Sequence, residues 1–490
     1  MFDKKKRDDF RNTAFSLLVC TAIGAVSAIS GMLPLRFVLT MGAGMLVVVM
    51  SLFFRDKKLY YLALLVFFLP ININKAVFRI DSPIPSLSDV LPFFATDVFL
   101  AVLYGLWIGR MAHSTEKGHR KIIWMTPVLF LMLAMIVADI LSLVNAVRFD
   151  RSFIEIAMMA KAVIVYFYFI NNINSMKEIR VIIITLAIGL MLQTAIVVMQ
   201  VYFRDTLGLL YLGELKSPYL SYEEEHQIFR PSGLFGHPNL FSNYLEFLIP
   251  LMFAMAFIRK NGFLRKLATV AMFAGGFSLI LTLSRGGWVG VVVACTLLFF
   301  VMTARNIYEQ KFFFKTLMII LLAVGILAAF SPKIYKRIVS RDRGAATSRV
   351  SMFYVATEII TSHPILGVGI NNYVEVMEQY DETTSRISRG FKFPIHTVYL
   401  EYYAETGILG ITALLSLFFV IIARGISDIR RSRGFLFSLN IGVVFGFVAY
   451  AIHAVSDMNY PSRLTVFAFF AALSTIVHYA IRDRITLADE

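Results

Sequence analysis

Charge is scarce in this chain: Asp, Glu, Lys and Arg make up 16% of its 490 residues, against about 25% in an ordinary soluble domain. That shortage excludes the string of soluble domains that the length alone would suggest. Cysteine is almost missing. Cys20 and Cys295 both fall inside apolar runs, which excludes a disulfide framework and a thiolate metal site. Well-spaced Asp/Glu clusters are also lacking from the loops, so no metal and no other cofactor is expected. Acidic residues are outnumbered, 32 against 47 Lys and Arg, for a net charge of +15. Such a balance points to nucleic acid only when the basic residues gather on a soluble domain. Here they fall mostly in short segments between apolar runs, where they act as topology signals.

Apolar residues fill the rest. They account for 58% of the chain, with a mean hydropathy of +0.72. Runs long enough to cross a bilayer, about 20 residues each, recur at 13–33, 36–54, 58–73, 95–110, 123–146, 153–171, 179–203, 238–258, 264–284, 286–304, 315–331, 398–423, 435–456 and 463–481. The first run is longer than the ~7–15-residue core of a signal peptide and is read as a span. The expected fold is therefore an all-α polytopic membrane protein with about fourteen spans. With the N-terminus in the cytoplasm, the basic clusters at Lys4 to Arg7, at Arg55, Lys57 and Lys58, and at Arg430, Arg431 and Arg433 all fall inside. Both termini are then cytoplasmic. The expected regions are N-terminal helices to residue 203, a central group at 204–331, a large loop at 332–397 and C-terminal helices at 398–490.

Two long loops, 204–237 and 332–397, fall outside. The second is expected to be partly helical. Thr347 or Ser348 can cap a helix, and Met352, Val355, Ala356 and Ile359 recur at helical spacing. His363-Pro364, Gly367 and Gly369 would end it. Glu155 and Lys161 are expected near one another on the sixth span. With Asp139 and Glu246 they are read as packing groups.

Five polar segments fall on the outer side together. They are Phe229-Arg230-Pro231-Ser232-Gly233-Leu234-Phe235-Gly236-His237-Pro238-Asn239; Leu283-Ser284-Arg285-Gly286-Gly287-Trp288; the loop with Arg341, Arg343, Arg349 and His363 to Gly369; His396 with Glu401 and Glu405; and Asp457 to Arg463. Each alone also fits a plain turn, a snorkelling arginine or a lipid-headgroup patch. Together they suit one chemistry. Arginine forks match phosphate oxygens, and several match a diphosphate. A neutral histidine can take a proton from an attacking hydroxyl. A diphosphate at the outer membrane face implies a polyprenyl carrier, and so glycosyl transfer without a metal.

The R-P-S-G-x-F-G-H-P-N segment, the S-R-G-G turn, the H-P-x-x-G-x-G loop and the I-H-x-x-x-L-E-x-x-x-E-x-G-x-x-G segment resemble the bacterial O-antigen ligase and polymerase superfamily, over about residues 229–463. The resemblance implies that His396 is the base or acceptor-activating group. It implies that Arg285 and Arg349 bind the donor diphosphate, with Arg230 as a further contact. Asn239, Glu401, Glu405 and Asp457 would support them. Thr397 stands where ligases often carry Asn or Ser, and Phe353 where leucine is common. These departures, and the higher span count, bear on the choice between ligase and polymerase. The leading expectation is a polymerase of lipid-linked oligosaccharide repeats. The enzymatic alternative is a ligase moving finished glycan onto lipid A core or protein. Outside enzymes, the alternatives are a flippase for the same lipid-linked sugars and a plain structural membrane protein.

Overall fold

The computed structural model describes residues 35–80, 89–113, 122–216, 219–220, 228–258, 261–305, 345–383, 386–390, 392–457, 465–482 and 487. The expected spans at 13–33 and 315–331, with Arg341, Arg343 and Arg463, lie outside the described residues.

The chain forms two compact units, residues 1–64 and 65–490. The first holds α1 (Leu35–Phe53) and the start of α2 (Lys57–Phe68). Asp56 Oδ1 accepts the Leu59 N–H at 3.0 Å and caps α2. Tyr60 donates to the Val47 carbonyl at 3.0 Å and stacks on Phe54, which fixes the turn between the helices. The twelve residues of α2 run only about 18 Å. That is short of the ~30 Å hydrocarbon core, so the run at 58–73 does not form a full crossing helix.

In the second unit β1 (Asn74–Arg79) pairs antiparallel with β2 (Val90–Phe94). The helices α3 (Ala95–His113), α4 (Pro127–Ser142), α5 (Phe149–Asn172) and α6 (Met176–Phe203) follow. A second small hairpin joins β3 (Tyr219–Leu220) to β4 (Ile228–Phe229). Then come α7 (Pro238–Met255), α8 (Gly262–Leu281), α9 (Arg285–Ala304), α10 (Ala345–Ser362), α11 (Tyr373–Val376), α12 (Ile387–Gly390), α13 (Val398–Asp428), α14 (Gly434–His453) and α15 (Thr465–Ile481). The two hairpins depart from an all-α reading; β1 (NKAVFR) and β2 (VLPFF) do not alternate apolar and polar residues, and β3 and β4 have two residues each.

Eight described helices, α3 to α6, α8, α9, α13 and α14, are long and apolar enough to cross a membrane. A helix suits lipid because it satisfies its own backbone, except at its ends. The ends are capped accordingly. Thr126 accepts from Leu129 N ahead of Pro127, Ser175 and Glu178 form a capping box, and Asn261 caps α8.

α7 is the helix on which the site is built. It carries Asn239, Asn243 and Glu246, and every residue from Phe241 to Met255 is buried. It packs against α8, α9 and α14, so protein rather than lipid surrounds its polar groups.

The helical spacing in the second loop is borne out. Met352, Val355, Ala356 and Ile359 of α10 are buried against Tyr373, Met377, Ile395 and Ala404. Thr347 and Ser348 lie inside α10 rather than ahead of it, because the chain is already helical from Ala345. The expected closeness of Glu155 and Lys161 is corrected. Lys161 instead bonds Asp97 of α3 at 2.6 Å. Six residues turn about 240° around a helix, so the two side chains leave on different faces.

Candidate functional site

Two of the motif segments are spent on each other. α13 is kinked at Gly407, whose backbone (φ 65°, ψ −164°) is not helical. The loop after α10 fits into that kink. Val368 N donates to Ala404 O at 3.0 Å, Gly369 N to Glu405 O at 2.9 Å, and Ile408 N to Pro364 O at 2.9 Å. A Cβ on Gly407 would lie 2.1 Å from Ile365 O, so only glycine fits. The Glu405 carboxylate accepts the N–H groups of Asn371 at 2.7 Å and Tyr373 at 2.9 Å. From the α4–α5 turn, Asn145 donates to Gly367 O, Ser142 Oγ accepts from Ile370 N, and Ser152 donates to Ile370 O. Buried Arg151 pairs with Glu375 at 3.1 Å and with Asp89 at 3.5 Å. This region is a brace, and Glu405 serves it.

The other segments meet around the start of α7. Pro231 to Phe235 are buried, pinned by two glutamines of α6. Gln193 Oε1 accepts from Leu234 N and Gln200 Oε1 from Gly233 N, both at 3.0 Å. Arg230 is thereby turned inward. Its Nε donates to Thr282 O at 2.9 Å and its Nη2 to Asn239 Oδ1 at 3.0 Å. Asn239 and Asn243 in turn donate to the two oxygens of Asp457, at 3.3 and 2.8 Å. Asp457, which alone reads as a polar turn residue, is 1% exposed. Burial without these bonds would cost it dearly.

The S-R-G-G turn sits on the same frame. Leu283 takes a left-handed backbone (φ 55°), and α9 begins at Arg285. Trp288 Nε1 donates to Leu279 O at 2.8 Å, closing the end of α8. Beneath the turn, His453 Nδ1 lies 2.5 Å from Glu246 Oε1, and its Nε2 lies 3.3 Å from Ser284 Oγ. A Cβ on Gly287 would lie 1.9 Å from Ser242 Oγ. The glycine lets the turn rest directly on α7.

His396 lies two residues ahead of α13. Val398 N donates to Ala454 O at 3.0 Å and Tyr399 Oη to Ala451 O at 2.8 Å, which ties the start of α13 to the end of α14. His237 caps α7, its Nδ1 accepting the Asn239 N–H at 3.2 Å. The ring is open to solvent yet hemmed in by protein. That enclosure, with Arg230 and then His396 nearby, lowers its pKa to about 4, against the pull of Asp457. A cleft of about 410 Å³, lined by Asn72, Asn74, Tyr211, Glu214, Lys216 and Gly236, adjoins it through the Gly236–His237 bond.

The structure thus gathers Arg230, Asn239, Asp457 and His396 at one end of the helices. Arg285 follows Thr282, the partner of Arg230, by three residues and is half-buried. Arg349 is placed on α10 by its backbone alone. Glu401 is buried on α13. Sequence reasoning passed over His237, Asn243 and His453, and set Glu246 aside as packing. The signal was present: Asn239, Asn243 and Glu246 are four and then three apart, one polar stripe on an otherwise apolar helix.

These features define a multi-pass membrane protein in which Arg230, His237 and His396 lie near one another beside Asn239 and Asp457. Residues 269–415 match the family model described as O-Antigen ligase. Over that stretch, under a third of the chain, the match supports the resemblance to the O-antigen ligase and polymerase superfamily. No curated protein matches the chain at a significant level. The matched stretch holds the S-R-G-G turn, Arg349 and His396, whereas Arg230, His237, Asn239 and Asp457 lie outside it.

Proposed function

We propose that this protein is a glycosyltransferase of the cell membrane, inner or plasma. It polymerises polyprenyl-diphosphate-linked oligosaccharide repeats into a cell-surface polysaccharide at the extracytoplasmic face. The observation that supports this most is the joining of Arg230, Asn239 and Asp457 beside His237 and His396 in a chain that matches this family. Arg230, Arg285 and Arg349 form the diphosphate cradle, the first held in a fixed frame by Thr282 and Asn239. His396 accepts the proton of the acceptor hydroxyl. The acceptor oxygen bonds to the anomeric carbon as the bond from that carbon to phosphate breaks. The polyprenyl diphosphate leaves with its charge held by the arginines. The basic segments between the apolar runs support an extracytoplasmic position for these residues.

The test is purified protein given a single defined lipid-linked repeat. A ladder of longer lipid-linked products is the expected result. Transfer that requires a separate acceptor sinks the polymerase and favours the ligase, the second reading, which the description of the matching family supports. A flippase would gather its cationic groups near mid-depth. Against that reading, Arg230 bonds Thr282 and Asn239, near where α9 and α7 begin.

A further inference from the structure

We infer that His237 is a substrate-binding hydrogen-bond donor, presenting its Nε2–H to an oxygen of the lipid-linked diphosphate. The inference rests on the glycosyl-transfer reading above and gives a role to a motif residue to which the resemblance assigned none. Its ground is the tautomer. Nδ1 accepts the Asn239 backbone N–H at 3.2 Å, so a neutral ring carries its proton on Nε2. The ring is the exposed member of a stretch, Pro231 to Asn243, that is otherwise buried or half-buried. Its only cap-bound atom is Nδ1, which leaves the Nε2 edge as the part that solvent or substrate can reach.

The neighbours fit the role. Arg230 supplies a fixed positive charge, and both oxygens of Asp457 already accept from Asn239 and Asn243. Surrounding protein, with Arg230 and His396 nearby, lowers its pKa and so favours the neutral ring. An uncharged imidazole with a preset N–H is a directional donor to a phosphate oxygen. It does not add a second charge that would hold the departing diphosphate in place.

The capping role and the donor role separate by substitution. Asparagine places an oxygen near Nδ1 and keeps the cap. Glutamine places an amide N–H near Nε2 and gives up the cap. The experiment compares His237→Asn, His237→Gln and His237→Ala in purified full-length protein with a defined polyprenyl-diphosphate-linked repeat. Melting temperature in detergent is followed beside donor KM and kcat. His237→Ala is expected to lose about tenfold to a hundredfold in kcat/KM. His237→Asn should melt like the wild type yet stay as inactive as His237→Ala. His237→Gln should melt lower yet recover part of the activity. Activity that follows melting temperature across the three variants overturns the assignment, since His237 is then a cap alone. Equal activity of the asparagine and glutamine variants overturns it as well. A wild-type protein that forms no glycosidic product is a different result, which overturns the glycosyl-transfer reading itself.

Discussion

The brace between α13 and the α4–α5 turn and the mouth around the start of α7 are built from the same residue types. Each has a buried arginine, a buried carboxylate, asparagines and glycines that let two backbones touch. They differ in how charge is handled. In the brace Arg151 pairs directly with Glu375 and Asp89, and Glu405 is occupied by two backbone N–H groups. In the mouth Arg230 and Asp457 are linked through the amide of Asn239. A direct pair cancels charge locally, whereas an amide between the partners holds them apart while satisfying both. The mouth therefore sets Arg230 and Asp457, with the Asn239 amide bonded to both, beside two histidines. A motif that recurs for packing and one that recurs for chemistry look alike as sequence; partner geometry tells them apart.

The comparison is most sharply broken at Gly407. Its backbone falls where side chains are hardly tolerated, and a Cβ there meets Ile365 O. Gly407→Ala is expected to cost at least ~3 kcal/mol and to leave little monodisperse protein after detergent extraction. Normal yield and a normal elution profile would show that the brace is not rigid. The mouth should behave in the opposite way. His396→Ala is expected to fold as the wild type does while losing about a hundredfold or more of polymerisation, the usual scale for a general base. Wild-type chain lengths from that variant would remove His396 from the chemistry. Arg349→Lys keeps the charge and loses the fork; about a tenfold weaker donor affinity is expected, and unchanged affinity would take Arg349 out of the cradle.

Much of this division was legible in advance. The apolar runs gave the long helices, and the spacing of Met352, Val355, Ala356 and Ile359 gave the buried face of α10. Arg230, Asn239, His396 and Asp457 were singled out by segment and do come together. What sequence could not give was the direction of each side chain. Glu405 looked like a carboxylate in a site because a charge inside a span is costly without purpose. In the fold its carboxylate accepts the N–H groups of Asn371 and Tyr373, which come from a loop more than thirty residues away. His237 was hidden for the opposite reason, since a residue between glycine and proline reads as a turn. Gln193 and Gln200 were invisible as anchors because their partners, Gly233 and Leu234, offer only backbone.

The smallest expected effect lies at Asp457, and it tests the amide link itself. Asp457 accepts from Asn239 on one oxygen and from Asn243 on the other. Asparagine at this position has the same shape but one acceptor oxygen. Its NH2 group would face one of the two amide donors, and that donor would stay buried without a partner. A cost of about 1–3 kcal/mol follows for the unmatched group. If Asn239 is the one released, Arg230 Nη2 loses the orientation of its acceptor as well. Asp457→Asn should then melt a little lower and raise the donor KM, while Asn243→Ala lowers the melting temperature and leaves KM nearer the wild type. Equal KM in the two variants would mean that Asp457 holds α7 to the end of α14 and nothing more, and the charge-separating link would have to be given up.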